Sequence, residues 1–167
     1  MSNVLRLTAL ISGGGRTLCN LQKAIERGPI DADIAMVIAS REDCSGIERA
    51  RTAGLEVHVP SRSNYDDELA ELVKTSAPDV ICLCGYLRKL RIEPSWEGRI
   101  INIHPSLLPR HGGQGMYGDR VHQAVLEAGD SLSGCTVHFV DDQYDHGPIL
   151  LQRVCRVHQD DSAETLA

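Results

Sequence analysis

At 167 residues the chain is the length of one domain and long enough to bury a core. Its 42% apolar and 24% charged residues are those of an ordinary globular protein, and a formal charge of −6 weighs against a nucleic-acid scaffold. No apolar run approaches the length of a membrane span, and Met1-Ser2-Asn3 leads into no signal-peptide pattern, so the expected location is cytoplasmic. The 6 cysteines contain no C-x-x-C pair and sit mostly in apolar surroundings, which argues against structural zinc and against a disulfide framework.

Residues 4–11 form an apolar run that reads as a central strand. Ser12-Gly13-Gly14-Gly15-Arg16-Thr17 follows, and residues 18–25 then show helical apolar spacing. Strand, glycine turn and helix start make an anion site: glycines let backbone N–H groups approach an anion, and the helix dipole favours it. It is neither a Walker loop, lacking the Gly-Lys-Ser/Thr ending, nor the dinucleotide turn, since Leu18 stands where a third glycine belongs. A phosphate monoester suits it best.

A second strand is expected over residues 34–39, a helix over 47–53 ended by Gly54, and a short strand over 56–59. An amphipathic helix follows over 66–75, and then a third long apolar strand over 79–84, ending in a loop that runs from Gly85 to Leu90. Arg41, Glu42, Asp43, Arg49 and Arg51 read most simply as solvated faces, and Tyr86 and Leu87 as either core or ligand contacts.

The strand over 100–103 is apolar except for Asn102, and His104 lies two residues on, so the carboxamide and the imidazole point to the same side. Pro105 ends that strand, and Pro109 closes the turn after it. The plain reading is a satisfied core amide and a surface imidazole; the sharper one is a polar pair at the ligand-binding end of a sheet. The glycine-rich residues 111–118 suggest a mobile loop, and residues 120–128 a helix closed by Gly129. Strands are expected over 133–140 and 149–157, paired antiparallel, with Cys135, Val137 and Phe139 on one face of the first and Thr136, His138 and Val140 on the other. A helix start capped by Asp161 or Ser162 ends the chain. The class is α/β, a Rossmann-like, mostly parallel sheet with helices on both faces and an antiparallel C-terminal strand pair.

Asp145-His146-Gly147-Pro148 holds a carboxylate in a constrained turn, where Gly147 permits unusual angles. Such a carboxylate near an imidazole raises its basicity and fixes its orientation, which equips His104 for proton transfer. Asn102 offers an N–H to a developing oxyanion. With no serine or cysteine nucleophile at a recognisable elbow, this set suits direct acyl transfer.

Six stretches carry a resemblance: residues 11–15, 65–69, 77–80, 85–88, the run Asn102-Ile103-His104-Pro105-Ser106-Leu107-Leu108-Pro109, and 137–140 continuing to Asp145-His146-Gly147-Pro148. In this order and over nearly the whole chain the sequence resembles the phosphoribosylglycinamide formyltransferase family, the folate-dependent enzymes of purine synthesis. The resemblance implies formyl transfer from 10-formyltetrahydrofolate, as co-substrate, to the amine of glycinamide ribonucleotide, without a metal. It assigns Asn102 to polarising the formyl oxygen, His104 to moving the proton, and Asp145 to raising the pKa of His104 and ordering a water. It puts Gly15, Arg16 and Thr17 at the substrate phosphate. It puts Arg62, Leu87, Arg88, Lys89, Leu90, Asn102, Asp141, Asp142, Gln143, Tyr144 and Asp145 at the folate, although Asp141 and Asp142 also read as a solvated turn.

Four departures from the family pattern accompany it. Arg16 and Thr17 replace a Ser and an Asn, Lys89 replaces an apolar residue, the 111–117 segment is longer, and the family's last helix, with a glutamate for the substrate amine, has no counterpart up to Ala167. The expectation is a single formyltransferase domain truncated at its C-terminal helix, with small-molecule partners only, no nucleic acid or membrane, and compatible with a homodimer. His111, His122, His138 and His158 read as structural or surface residues. The alternatives are a 10-formyltetrahydrofolate hydrolase using the same three residues, and a non-catalytic fragment that binds folate or phosphate.

Overall fold

The computed structural model describes residues 4–167; Met1-Ser2-Asn3, read only for a targeting signal, lie outside them. Two compact units divide the chain, one reaching to Ile100 and the other running from Ile101 to Ala167.

The first unit holds β1 (Leu5–Ile11), α1 (Arg16–Glu26), β2 (Ala32–Ala39), α2 (Gly46–Thr52), β3 (Val57–His58), α3 (Tyr65–Ser76), β4 (Val80–Leu83) and a 3-10 turn at Pro94–Trp96. Its strands lie in the order β3-β2-β1-β4 and are all parallel. β1 is buried over its last five residues, as a strand covered on both faces must be. The one hydroxyl among them, on Thr8, is satisfied by Ser76 Oγ at 2.7 Å. Tyr65, Leu69, Val73 and Ser76 recur at helical spacing and make the buried stripe of α3, whose first turn carries Asp66, Asp67 and Glu68 at the positive dipole end. Right-handed crossovers put α1 and α2 on one face of these strands and α3 on the other. The chain steps outward from β1 to β2 to β3 and then returns to the far side of β1, so the strand order reverses between β1 and β4. In open α/β sheets that is the ligand-binding crevice.

The second unit holds β5 (Ile100–His104) from its second residue onward, α4 (Asp119–Glu127), β6 (Leu132–Phe139), β7 (Ile149–Arg156) and α5 (Ala163–Leu166). β5 and β6 pair antiparallel with Asn102 opposite His138 and His104 opposite Thr136, and β6 and β7 pair antiparallel beyond. The two faces of β6 alternate as the sequence implies, but the polar one is the more deeply buried, with Thr136 at 0% exposure and His138 at 2%. β7 is exposed along its whole length. Ser162 caps α5, accepting from Thr165 N while its own N–H is accepted by the Thr165 hydroxyl.

Element positions follow the sequence reading closely. α1 begins at Arg16, two residues early, because Gly15 at φ 72 already turns the chain into the helix. β3 shrinks to two residues.

The start of α2 sits hard against the glycine turn. A Cβ at Gly46 would lie 2.8 Å from Gly13 O, 3.0 Å from Ile11 Cδ1 and 3.1 Å from Gly15 N, whereas one at Gly13 meets nothing within 4 Å. Gly46→Ala is therefore expected to cost about 1–3 kcal/mol in overpacking, while Gly13→Ala stays within about 0.5 kcal/mol. Urea unfolding midpoints of the two variants check this.

Candidate functional site

In the first unit the turn after β1 is built from behind. Gly13 O accepts from Gly46 N at 3.0 Å and from Cys44 Sγ at 3.1 Å, and Gly14 O accepts from Arg49 Nη1 at 2.8 Å. These contacts fix the peptide planes with their carbonyls turned toward α2, so the turn's shape is set by packing and not by glycine freedom alone. Gly15 closes it in the left-handed region as the N-cap of α1, with Arg16 exposed and Thr17 half-buried on the first turn. The loop after β4 is tied to this turn through Ser12, whose N–H donates to Gly85 O at 3.1 Å. Its hydroxyl accepts from Leu87 N at 2.9 Å and from Ser40 Oγ at 2.8 Å. Beyond Leu87, which is 48% exposed, the Arg88 guanidinium stacks 3.8 Å above the Tyr65 ring, and Tyr65 and Tyr86 share a buried hydroxyl contact of 3.0 Å. Arg62 and Lys89 are exposed and Leu90 is buried.

In the second unit a polar cluster lies at the end of β5. His104 is 3% exposed; its Nδ1 is 3.3 Å from Asp145 Oδ2 and its Nε2 is 2.8 Å from the His111 carbonyl. Asn102 turns its Nδ2 toward His138 Nε2 at 3.1 Å and Asp145 Oδ1 at 3.4 Å. His138 Nδ1 donates to Phe139 O at 2.8 Å, so the neutral ring is free to accept from Asn102 at Nε2. Gly113 N donates to Asp145 Oδ2 at 3.0 Å. Asp145 itself stands at φ 54, a left-handed conformation that aspartate tolerates better than most residues. The turn that presents it closes on Gly147, where a Cβ would strike the Phe139 carbonyl. Gly147 has no positive φ, so the reason for glycine there is close approach and not the unusual angles that the sequence suggests.

Burial alone would push the Asp145 carboxyl up, but hydrogen bonding and charge from His104, with lesser help from His138 and Gly113, hold it well below the usual carboxylate range. The Asp145–His138 separation of 3.7 Å is too long for a hydrogen bond, so His138 favours the carboxylate only when its ring is protonated. Burial would likewise depress His138, and Asp145 together with the Phe139 carbonyl reverses this and raises it. The cluster is thus an ionised carboxylate set among imidazoles and a carboxamide, competent to accept, hold and return a proton and to offer an amide N–H.

Of the residues singled out from sequence, Asn102 and His104 both meet Asp145. Gly15, Arg16 and Thr17 form the first-unit turn, which Arg62 and residues 87–90 share a unit with. Asp141 accepts from Gln143 N at 2.9 Å and from His146 Nδ1 at 2.8 Å, while Asp142, Gln143 and Tyr144 are exposed. Three residues read as structural or solvated do more. His138 and His111 complete the cluster, and Arg49 braces the glycine turn. His138 was legible in part, since alternation along β6 places it opposite Asn102 once the pairing is known; the other two depend on tertiary contacts. Cys82 and Cys84 are buried thiols pushed up to about 11 and about 12 by burial, inert as the apolar strand implies. Among the described residues no helix is long and apolar enough to cross a membrane, and no group of three or more His, Cys, Asp or Glu is placed to hold a metal ion.

The family model for formyl transferase matches residues 5–167. A chloroplastic phosphoribosylglycinamide formyltransferase of Arabidopsis thaliana is 38% identical over 171 residues, taking in 97% of this chain and 59% of the relative. The phosphoribosylglycinamide formyltransferase of Escherichia coli K12 is 36% identical, with 97% of this chain and 78% of the relative covered. The crystal structure of glycinamide ribonucleotide transformylase 1 from Symbiobacterium toebii superposes with a TM-score of 0.87 at 38% identity, over 99% of this chain and 80% of that one. This chain therefore spans well under two thirds of the plant relative. With a family match over nearly its whole length, and with the strand-end polar cluster inside the matched region, the chain belongs to the formyl transferase family.

Proposed function

We propose that this chain carries the formyl-transfer centre of a phosphoribosylglycinamide formyltransferase, moving a formyl group from 10-formyltetrahydrofolate to the primary amine of glycinamide ribonucleotide. The observation that carries the proposal is the ionised Asp145 held against His104 and Asn102 at the end of β5. The relatives' names supply the transferred group and its acceptor, and the family resemblance supplies the folate donor.

The amine nitrogen attacks the formyl carbon, and the carbonyl becomes an oxyanion. Asn102 Nδ2 has two hydrogens; the one directed at Asp145 over 3.4 Å is the weaker bond and the one an oxyanion takes. The attacking nitrogen sheds a proton to the His104–Asp145 pair. Collapse of the tetrahedral centre breaks the bond to N10 of the folate, and N10 receives a proton from the same pair, so the enzyme ends as it began. In the first unit, Gly15, Arg16 and Thr17 take the substrate phosphate, where the α1 dipole and the Arg16 charge both favour an anion. Arg62 and Leu87 to Leu90 in that unit, and Asn102 with Asp141 to Asp145 in the other, have the folate-contacting role. Of these, Leu90 is buried.

In the full-length protein, Asn102→Ala is expected to lower kcat by about 10²–10³-fold and His104→Ala by about 10²–10⁴-fold, with Asp145→Ala comparable to His104→Ala. Formyl transfer to glycinamide ribonucleotide is the measurement; wild-type turnover in all three variants would end the proposal, and formate release without any amine acceptor would point to a hydrolase instead.

Asp145 also links the site to stability. Because its folded carboxyl lies below the unfolded value of about 3.9, its stabilisation is complete above that value and is lost as pH falls toward the folded one. Denaturant unfolding at pH 6 and at pH 3 should therefore show the wild type losing more stability than Asp145→Asn over that interval. Equal losses would mean that Asp145 is no better placed folded than unfolded.

A further inference from the structure

His104 is enclosed with an acceptor against each ring nitrogen. A backbone carbonyl has only lone pairs to offer, so Nε2, 2.8 Å from His111 O, carries its hydrogen in this arrangement. The position of that carbonyl then decides which nitrogen of His104 is left to exchange protons.

The carbonyl does not sit there by local preference. His111 is held at φ 54, in the left-handed region that costs a non-glycine residue about 1–2 kcal/mol. Its ring is fastened by Nε2 to Asp130 Oδ2 at 2.7 Å, and the other oxygen of Asp130 accepts from Arg110 Nη2 at 2.6 Å. The Arg110 carbonyl accepts from Ser106 Oγ at 2.6 Å, and Ser106 is fully buried. On the far side Gly112 has no room for a Cβ, which would strike Leu108 Cδ2 and lie 3.2 Å from Asp145 Cβ, and Gly113 N binds Asp145 Oδ2 at 3.0 Å. The contacts close a ring: Asp130 to His111, His111 to His104, His104 to Asp145, and Asp145 back to Gly113 two residues on. The His111 hydrogen bond, followed by the nearby Arg110 charge, holds the Asp130 carboxylate below its usual range, so it stays ionised.

We propose that Asp130, assisted by Arg110, is a positioning residue for His104: by fastening the His111 ring it pins the His111 carbonyl on Nε2, so that His104 exchanges its proton only through Nδ1, on the Asp145 side. His104 then alternates between the imidazolium, with Nδ1–H against Asp145, and the neutral Nε2–H tautomer. The His104–Asp145 pair takes the proton shed by the attacking amine and returns one to the departing nitrogen through Nδ1 alone, and Nε2 keeps its hydrogen throughout. This rests on the formyl-transfer reading for the identity of the reacting nitrogens, but the coupling of Asp130 to the His104 tautomer does not.

The test uses the full-length protein labelled with ¹⁵N-histidine. In the wild type, the His104 Nε2 resonance should be that of a protonated nitrogen at every pH where the protein is folded. In Asp130→Ala, and more mildly in the exposed-side-chain variant Arg110→Ala, the neutral ring should become a mixture of both tautomers. In Asp130→Ala kcat should fall about tenfold or more with KM for both substrates within about twofold. A wild-type Nε2 that loses its hydrogen overturns the proposal, as does an Asp130→Ala spectrum identical to wild type in a folded protein. Should Asp130→Ala fail to fold, an unchanged tautomer in Arg110→Ala and Asp130→Asn overturns it in the same way. If the tautomer shifts while His104→Ala keeps full formyl-transfer activity, the positioning stands and the proposed function falls.

Discussion

A buried carboxylate organises the second unit. Asp145 is 10% exposed, and an ionised carboxylate taken that far from water is destabilising unless its oxygens are met by donors. They are met by His104, by the Asn102 amide, itself held by His138, and by Gly113 N. Each of these imposes something on the fold. Asn102 and His104 have to share a face of β5, His138 has to stand opposite Asn102 on β6, and the chain after Pro109 has to bend back to bring Gly113 within reach. The polar face of β6 is consequently the buried one. A hydrophobic core would have put Val137 and Phe139 there instead.

The first unit follows a different logic, in which backbone groups do what side chains do in the second. Its turn after β1 is shaped by carbonyls anchored to α2 and by glycines that admit close approach, Gly46 to the turn above all. Ser12 joins that turn to the loop after β4, so the two strand ends flanking the reversal of strand order are hydrogen-bonded to each other. A turn stiffened from behind presents its N–H groups without having to be ordered by a ligand, which lowers the entropic cost of binding.

The departures between sequence and structure share a cause. Periodicity locates β1, β2, β4, β5, β6 and most helices because burial imposes a 2.0 or 3.6 residue period on the chain that makes them. It also places Asn102 and His104 on one face. It says nothing of why Gly147 has to be glycine, because the obstacle is the Phe139 carbonyl eight residues away. Arg49 looks like any helix-surface arginine until its guanidinium is seen on Gly14 O. His111 and Asp130 are 19 residues apart and neither stands out in a polar, glycine-rich stretch. Asp141 and its neighbours show the converse: their binding role comes from family resemblance, while their contacts are those of an ordinary polar turn.

By itself the sequence determined the alternation of strands and helices, the glycine turn at the first strand end, the polar pair at the end of an apolar strand and the constrained aspartate, because each is written in residues a few positions apart. Only the tertiary structure decided the company that Asp145 keeps, which nitrogen of His104 meets a carbonyl, and which face of β6 is buried. Those depend on groups brought together from 7 residues apart, as His104 and His111 are, to 43, as Asn102 and Asp145 are. Hydrogen-bond geometry and desolvation act over ångströms in space, and no local pattern in the chain encodes them.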